Sequence, residues 1–230
     1  LWTGERTPPT LAARESKTVT ILPVFGGGGS MIDLNRLEKT RLRVTPWGQL
    51  LVANLGMRPN FGFLPGVEIV VEGWENLPAD QKVIFALNHT DRYNPWPFQF
   101  TLYRKKLGYT VTWVKAKYYE SWFIGGFMTA CNNIPRPSRG YVISTEFRKA
   151  LGRTPTNEEY RTIRDMMDGN RDMEDPFNSE DSDDVRTFFE GRTGSPKETV
   201  QELEVMFGKM MTIIADLSTK VMTELDSHLL

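Results

Sequence analysis

A single cysteine, Cys131, in 230 residues excludes an internal disulfide framework and a cysteine-rich zinc site. Two histidines leave little for a soft-metal cluster, so no metal site is expected. A reducing compartment is the reading that follows. Neither sign of charge dominates: 28 Lys and Arg face 29 Asp and Glu, for a net charge of -1. That balance argues against bulk binding to nucleic acid. Long apolar runs are missing too. No uncharged stretch is longer than Ser121–Pro135, which is too short to span a bilayer and contains Asn132 and Asn133. This excludes spanning, but not lying on a membrane surface. Residues 1–20 carry Glu5, Arg6, Arg14, Glu15 and Lys17 without an apolar run, so no secretory signal is expected there. What remains is ordinary globular composition, 40% hydrophobic and 25% charged, enough for one sizeable core.

Residues 26–30 read Gly-Gly-Gly-Gly-Ser, followed at once by Met31. This has the form of an engineered flexible linker joined to a start methionine. A phosphate-binding glycine loop would need a following Lys-Ser or Lys-Thr and a spaced glycine opening a helix, and neither is present. Residues 1–25 are then expected to be a relocated piece of the core. Residues 31–66 read as an amphipathic, membrane-facing segment and residues 67–230 as an α/β domain. Within 41–65, Arg41, Arg43 and Arg58 alternate with Trp47, Leu50, Leu51, Leu55 and Phe61, a pattern that suits an interfacial helix or a packed amphipathic one.

Short runs rich in Val, Ile, Phe and Thr predict buried strands at 18–25, 67–73, 82–87, 110–116 and 185–189. Helices are predicted at 97–106, 118–128, 144–151 and 157–168. A long one follows, in which Val200, Leu203, Phe207, Met210, Ile214, Leu217, Val221 and Leu225 recur every three or four residues. Its methionines read as core packing rather than a ligand groove. The alternation predicts an α/β fold with a mostly parallel sheet flanked by helices. Residues 168–184 are acidic, with Gly, Pro and Ser, and read as an exposed mobile loop without calcium-loop spacing.

His89 directly follows the run Val-Ile-Phe-Ala-Leu (83–87). Ligands of open parallel sheets bind outside the carboxyl ends of strands, and a neutral imidazole is the side-chain base poised near pH 7. The alternative is a capping or hydrogen-bonded loop histidine.

Around His89, Gly73, Glu75, Asn76, Pro78, Asn88 and His89 form a first block. Residues 132–140 (Asn-Asn-Ile-Pro-Arg-Pro-Ser-Arg-Gly) form a second, with Arg136 and Arg139 as its candidate cations. Phe189, Glu190, Gly191 and Arg192 form a third, and residues 19–24 with Pro23 a fourth. Together these resemble the glycerol-phosphate and lysophospholipid acyltransferase family over most of 67–192 plus 1–25. The resemblance implies acyl transfer from a thioester, acyl-CoA or acyl carrier protein, to a hydroxyl of glycerol phosphate or a lysophospholipid. No other cofactor and no nucleic acid is implied. The enzyme would be peripheral on the cytoplasmic, inner face of a membrane. His89 would be the general base, with Glu190, Gly191, Arg192 and Arg136 or Arg139 holding the acceptor. Guanidinium suits phosphate through its paired fork, although each arginine also reads as a surface ion pair. Residues 118–128, rich in aromatics around Gly125 and Gly126, would line an acyl trough or fill the core.

Two departures stand out. The fourth block precedes the first, which the linker accounts for as a circular permutation or a strand moved to the front. The family's aspartate is Asn94 here, which supplies no negative charge to the imidazolium. Asp91 is placed either to substitute for it or to cap the following helix. A non-catalytic lipid- or partner-binding protein on the same fold is therefore the second reading. A third, a hydrolase using Cys131, lacks a nucleophile turn.

Overall fold

The computed structural model describes residues 31–62, 68–78, 81–88, 95–174, 176–177, 182–225 and 227–230. The relocated piece 1–25, the Gly-Ser linker, His89, Asp91 and Asn94 therefore lie outside the described residues. The chain is rich in helix, with short parallel strand pairs.

Asp33 accepts the Arg36 backbone N–H at 2.8 Å and so starts helix α1 (Leu34–Glu38). Helix α2 (Trp47–Leu51) runs into a π-helical turn, Val52–Met57, and then α3 (Arg58–Gly62). The wider spacing is seen at Arg58, whose N–H donates to the Ala53 carbonyl five residues back. Helix α4 (Pro95–Arg104) leads to β1 (Tyr109–Val111) and β2 (Trp113–Lys115). After a 3-10 turn, Ser121 caps α5 (Trp122–Ala130). Strand β3 (Ile134–Arg136) precedes α6 (Arg139–Leu151), capped by Ser138 and ended by Gly152 at a φ of 73°, a conformation that favours glycine. Helix α7 (Asn157–Met167) carries a reciprocal capping box between Thr156 and Glu159. Helices α8 (Asp183–Arg192) and α9 (Pro196–Glu224) follow, and β4 (Ser227–Leu229) closes the described chain.

Strand β1 pairs in parallel with β4, and β2 in parallel with β3. Only Thr112 separates β1 from β2. The Val111 carbonyl accepts from Leu230 N–H and the adjacent Thr112 carbonyl from Ile134 N–H. Successive carbonyls of an extended chain point to opposite edges, so β4 and β3 flank residues 109–115 on opposite sides. On its far edge β4 meets residues 83–85: Phe85 N–H donates to the Leu229 carbonyl and Leu229 N–H to the Val83 carbonyl. The second histidine, His228, is 7% exposed in this sheet. Its Nδ1 accepts from Val83 N–H at 3.2 Å, so Nε2 carries the proton it donates to the Leu107 carbonyl at 2.7 Å. The ring is a structural strut between two chain segments.

Helices α6, α7, α8 and α9 pack on one another. Phe147, Phe188 and Phe189 are almost wholly buried between them, with ring centroids 5.5 Å and 5.2 Å apart along the series. Long α9 buries Leu203, Met210, Ile214 and Val221, and Met206, Met211 and Met222 pack on the same core. Its methionine stripe is core.

Several expectations are corrected. Residues 185–189 are not a strand. Ser182 accepts from Asp184 N–H, Asp183 and Asp184 occupy the first turn, and Val185, Phe188 and Phe189 recur on one buried helical face of α8. Residues 68–73 have no regular structure. Within 41–65 the described helix starts at Trp47 and runs without a break through the π-helical stretch Val52–Met57 to Gly62. Parts of the acidic stretch 168–184 are anchored: Phe177 meets the Phe189 ring at 5.8 Å, and Asp168 bonds Arg139.

Candidate functional site

A cavity of about 690 Å³ opens on the sheet side of the molecule. Val52, Ala53 and Met57 of the π-turn, Phe100 and Tyr103 of α4, and Phe127 and Met128 of α5 supply part of its apolar wall. A π-helical turn in a cavity wall is where such irregular backbone is commonly found. Gln49 ties the wall together, since its carboxamide N–H groups donate to the Thr110 and Cys131 carbonyls. Gly48 lets α2 approach α5 closely, because a Cβ there would stand 2.7 Å from the Ala130 backbone carbon. Asn132, at a φ of 59°, is 1% exposed and pins the Arg43 backbone through both N–H and carbonyl. Cys131 lies in the cavity wall, and burial pushes its thiol up to about 12. A thiol held in that state is a poor nucleophile, which removes the support for a cysteine hydrolase.

The cavity reaches the carboxyl ends of the extended runs. Leu87, Lys115 and Leu230 all lie in its wall. Its mouth is aromatic and open: Trp96, Trp113 and Tyr118 line it while remaining partly exposed. Beside them, on the first turn of α5, Trp122 is 60% and Phe123 68% exposed. Lys115 is the one charged residue of the wall among the described residues.

Leu87 and Pro95, which stand on either side of the stretch 89–94, both line the cavity. The expected acceptor-binding residues divide into two groups. Glu190, Gly191 and Arg192 end α8 rather than a strand, and none of them lines the cavity. The fork of Arg192 is filled: Nε and Nη2 each stand 2.9 Å from Glu202, and Nη1 is 2.7 Å from Glu146. Burial alone would push the Glu146 carboxyl up, but hydrogen bonds from Lys149 and Arg192 outweigh it and hold the carboxyl below its ordinary range. Arg139 begins α6 and reaches Glu204 at 3.2 Å and Asp168 at 3.5 Å. Arg136, at the carboxyl end of β3, is exposed. Among the described residues it forms neither an ion pair nor a side-chain hydrogen bond. It is the arginine candidate left open to a ligand.

Comparison with protein families, with curated proteins and with solved structures found no match to this chain. Its chemistry must be argued from its own residues. Among those described, no group of three His, Cys, Asp or Glu side chains converges to hold a metal ion, and no helix is long and apolar enough to cross a membrane.

Two features of the cavity are not spelled out by the sequence. Lys115 was read only as part of a strand, and its register with Arg136 is a tertiary fact. The cavity's π-turn wall lies in the segment that reads as an interfacial or a packed amphipathic helix, and its Val52, Ala53 and Met57 line the cavity. The aromatics of 118–128 were the legible signal, and Tyr118, Phe127 and Met128 do line the cavity.

Proposed function

We propose that this chain transfers a fatty acyl group from a thioester to a hydroxyl of a phosphate-bearing, lipid-like acceptor, with His89 as general base. The observation that carries the reading is an apolar cavity running along residues 108–115 of the parallel strands, with Leu87 and Pro95 in its wall. Those residues bracket Asn88–Asn94, the stretch that holds the His89 block. A site of this volume and lining suits an acyl chain. The exposed aromatics at its mouth suit a lipid surface, where amphiphilic substrates reside.

An alcohol is a weak nucleophile at pH 7 and needs a base within hydrogen-bond reach. His89 accepts the hydroxyl proton as the oxygen attacks the thioester carbonyl. The tetrahedral intermediate collapses by breaking the C–S bond, and the proton passes from the imidazolium to the leaving thiolate. Asn94 orients the ring without neutralising it. An amide in place of an aspartate costs about ten-thousand-fold in the serine-protease triad, so a low turnover number is expected.

The test is thioester consumption in the presence of a lysophospholipid or glycerol phosphate. The parent chain is expected to turn over, and His89→Ala to lower the rate by about a hundred- to ten-thousand-fold, the usual contribution of a general base. An Asn94→Asp variant is expected to be faster than the parent. Binding of the acyl donor without turnover by any of these forms would instead establish a non-catalytic lipid-binding protein.

A further inference from the structure

One stretch of the cavity wall is polar without being charged. Gln99, Thr112 and Asn133 all line the cavity. The Thr112 carbonyl accepts from Ile134 N–H at 2.9 Å, and Trp113 and Ile134 are the first pair of the β2–β3 ladder. Thr112 and Asn133 therefore stand side by side just before that pair, about 4.8 Å apart at the backbone. Gln99 reaches the same place from α4, and its Nε2 donates to Thr112 Oγ1 at 3.4 Å. Much of the hydrogen-bonding capacity of these three side chains is unused. Among the described residues, that long bond is the one side-chain hydrogen bond of Gln99 and of Thr112, and Asn133 donates only to the Met128 sulfur at 3.1 Å. A thioether sulfur is a weak acceptor. Other polar groups of the wall are better matched: Gln49 is spent on the Thr110 and Cys131 carbonyls, and the Tyr103 hydroxyl accepts from Asn54 at 3.2 Å.

We propose that Gln99, Thr112 and Asn133 form a neutral hydrogen-bonding subsite, and that the cavity selects a hydroxylated acyl chain over a plain one. A hydroxyl donates once and accepts twice, which fits a set that presents amide N–H groups, a hydroxyl and carboxamide oxygens. A plain alkyl chain strips water from the same groups and returns no hydrogen bond. Polar groups left unpaired in this way count against the ligand that leaves them so. Gln99 lies four residues after Pro95, about 6 Å along α4, and Pro95 bounds the stretch that holds His89. The hydroxyl therefore belongs near the carbonyl end of the chain, as in a 3-hydroxyacyl thioester. That placement rests on the acyl-transfer reading, but the preference itself needs neither His89 nor turnover.

The experiment measures binding of uncharged esters with no acceptor present. Methyl dodecanoate, methyl 3-hydroxydodecanoate and methyl 12-hydroxydodecanoate are titrated into the full chain and followed by tryptophan fluorescence, with circular dichroism as the folding control. The parent is expected to bind the 3-hydroxy ester at least about fivefold tighter than the plain ester, and the 12-hydroxy ester no tighter than the plain one. Gln99→Met, Thr112→Val and Asn133→Leu should each lower that preference and bind the plain ester more tightly than the parent does. Thr112→Ser, which keeps the hydroxyl, should keep the preference. A smaller ratio in the parent overturns the subsite whatever the variants do. Equal binding of the 3-hydroxy and 12-hydroxy esters also overturns it, since polarity alone would then account for the gain. So does a ratio unchanged in all the folded apolar variants. A parent that prefers the 3-hydroxy ester yet consumes no thioester supports the subsite and removes the acyl-transfer reading.

Discussion

The two sides of this molecule treat charge and aromatic surface in opposite ways. On the side formed by α6 to α9, several ionic groups are matched. Arg153 stands against both Glu159 and Asp184, Ser182 donates to Glu159, and Glu146 takes Lys149 and Arg192. Phe147, Phe188 and Phe189 there are buried to within a percent or so. On the cavity side, Lys115 and Arg136 are left without a carboxylate, and Trp122 and Phe123 stay largely in solvent. A matched, buried set is what stability selects. Unmatched cations beside exposed rings cost stability and are expected where a ligand completes them. The comparison teaches that the α6–α9 side closes its largest rings and several of its charges on itself, while the cavity side presents aromatic surface to solvent.

The sharpest way to break the comparison is in the aromatic core. Phe188→Ala should cost about 3–5 kcal/mol, the usual loss for deleting a buried ring, seen as a lower urea midpoint. A loss below about 1 kcal/mol would mean that this core is not the rigid half.

A second substitution acts on the cavity wall. Gly48→Ala would drive a Cβ into the Ala130 backbone and the Cys131 Sγ at 2.7–2.8 Å. It should cost about 1–3 kcal/mol by overpacking and weaken binding of an apolar probe. Unchanged stability and probe affinity together would show that α2 and α5 do not need their close approach.

The smallest effect concerns acid. Hydrogen bonds from Arg153 hold the Glu159 carboxyl down at about 2, against an ordinary 4.5, with burial opposing them. A depressed folded value gives stability that is present above the unfolded value and is lost as pH falls from about 4.5 towards 2. Glu159→Gln should therefore be destabilised at pH 7 by about 1–2 kcal/mol, and the gap to the parent should narrow in that acid window. A gap that stays constant from pH 7 to pH 3 would remove the ionic clamp from the account.

Much of the helical half was legible. The three- and four-residue recurrence from Val200 to Leu225 predicts α9, and Asn157–Asp168 predicts α7, because a long amphipathic period is hard to mistake. Residues 185–189 read as a strand because the short run Val-Arg-Thr-Phe-Phe satisfies either period. The deciding signals were the Ser182 cap, the two aspartates behind it and the spacing of Val185, Phe188 and Phe189. Strand β4 carried no signal at all. Ser227 and His228 are polar, and they are buried because the sheet partners are supplied by distant segments. The site divides in the same way. Aromatics near residue 120 pointed to an apolar trough. Which arginine stays open depended on where Glu146, Glu202, Glu204 and Asp168 lie in space, and no local pattern encodes that.

The central claim, that an acyl chain occupies the cavity walled by the π-turn, α4 and α5, is tested most directly by photolabelling. An acyl thioester carrying a diazirine near its methyl end is bound, irradiated, and the adducts are mapped by mass spectrometry. Adducts on Val52, Ala53, Met57, Phe100, Phe127 or Met128 are the predicted result. Labelling confined to α6 through α8, or spread evenly over the surface, would contradict it.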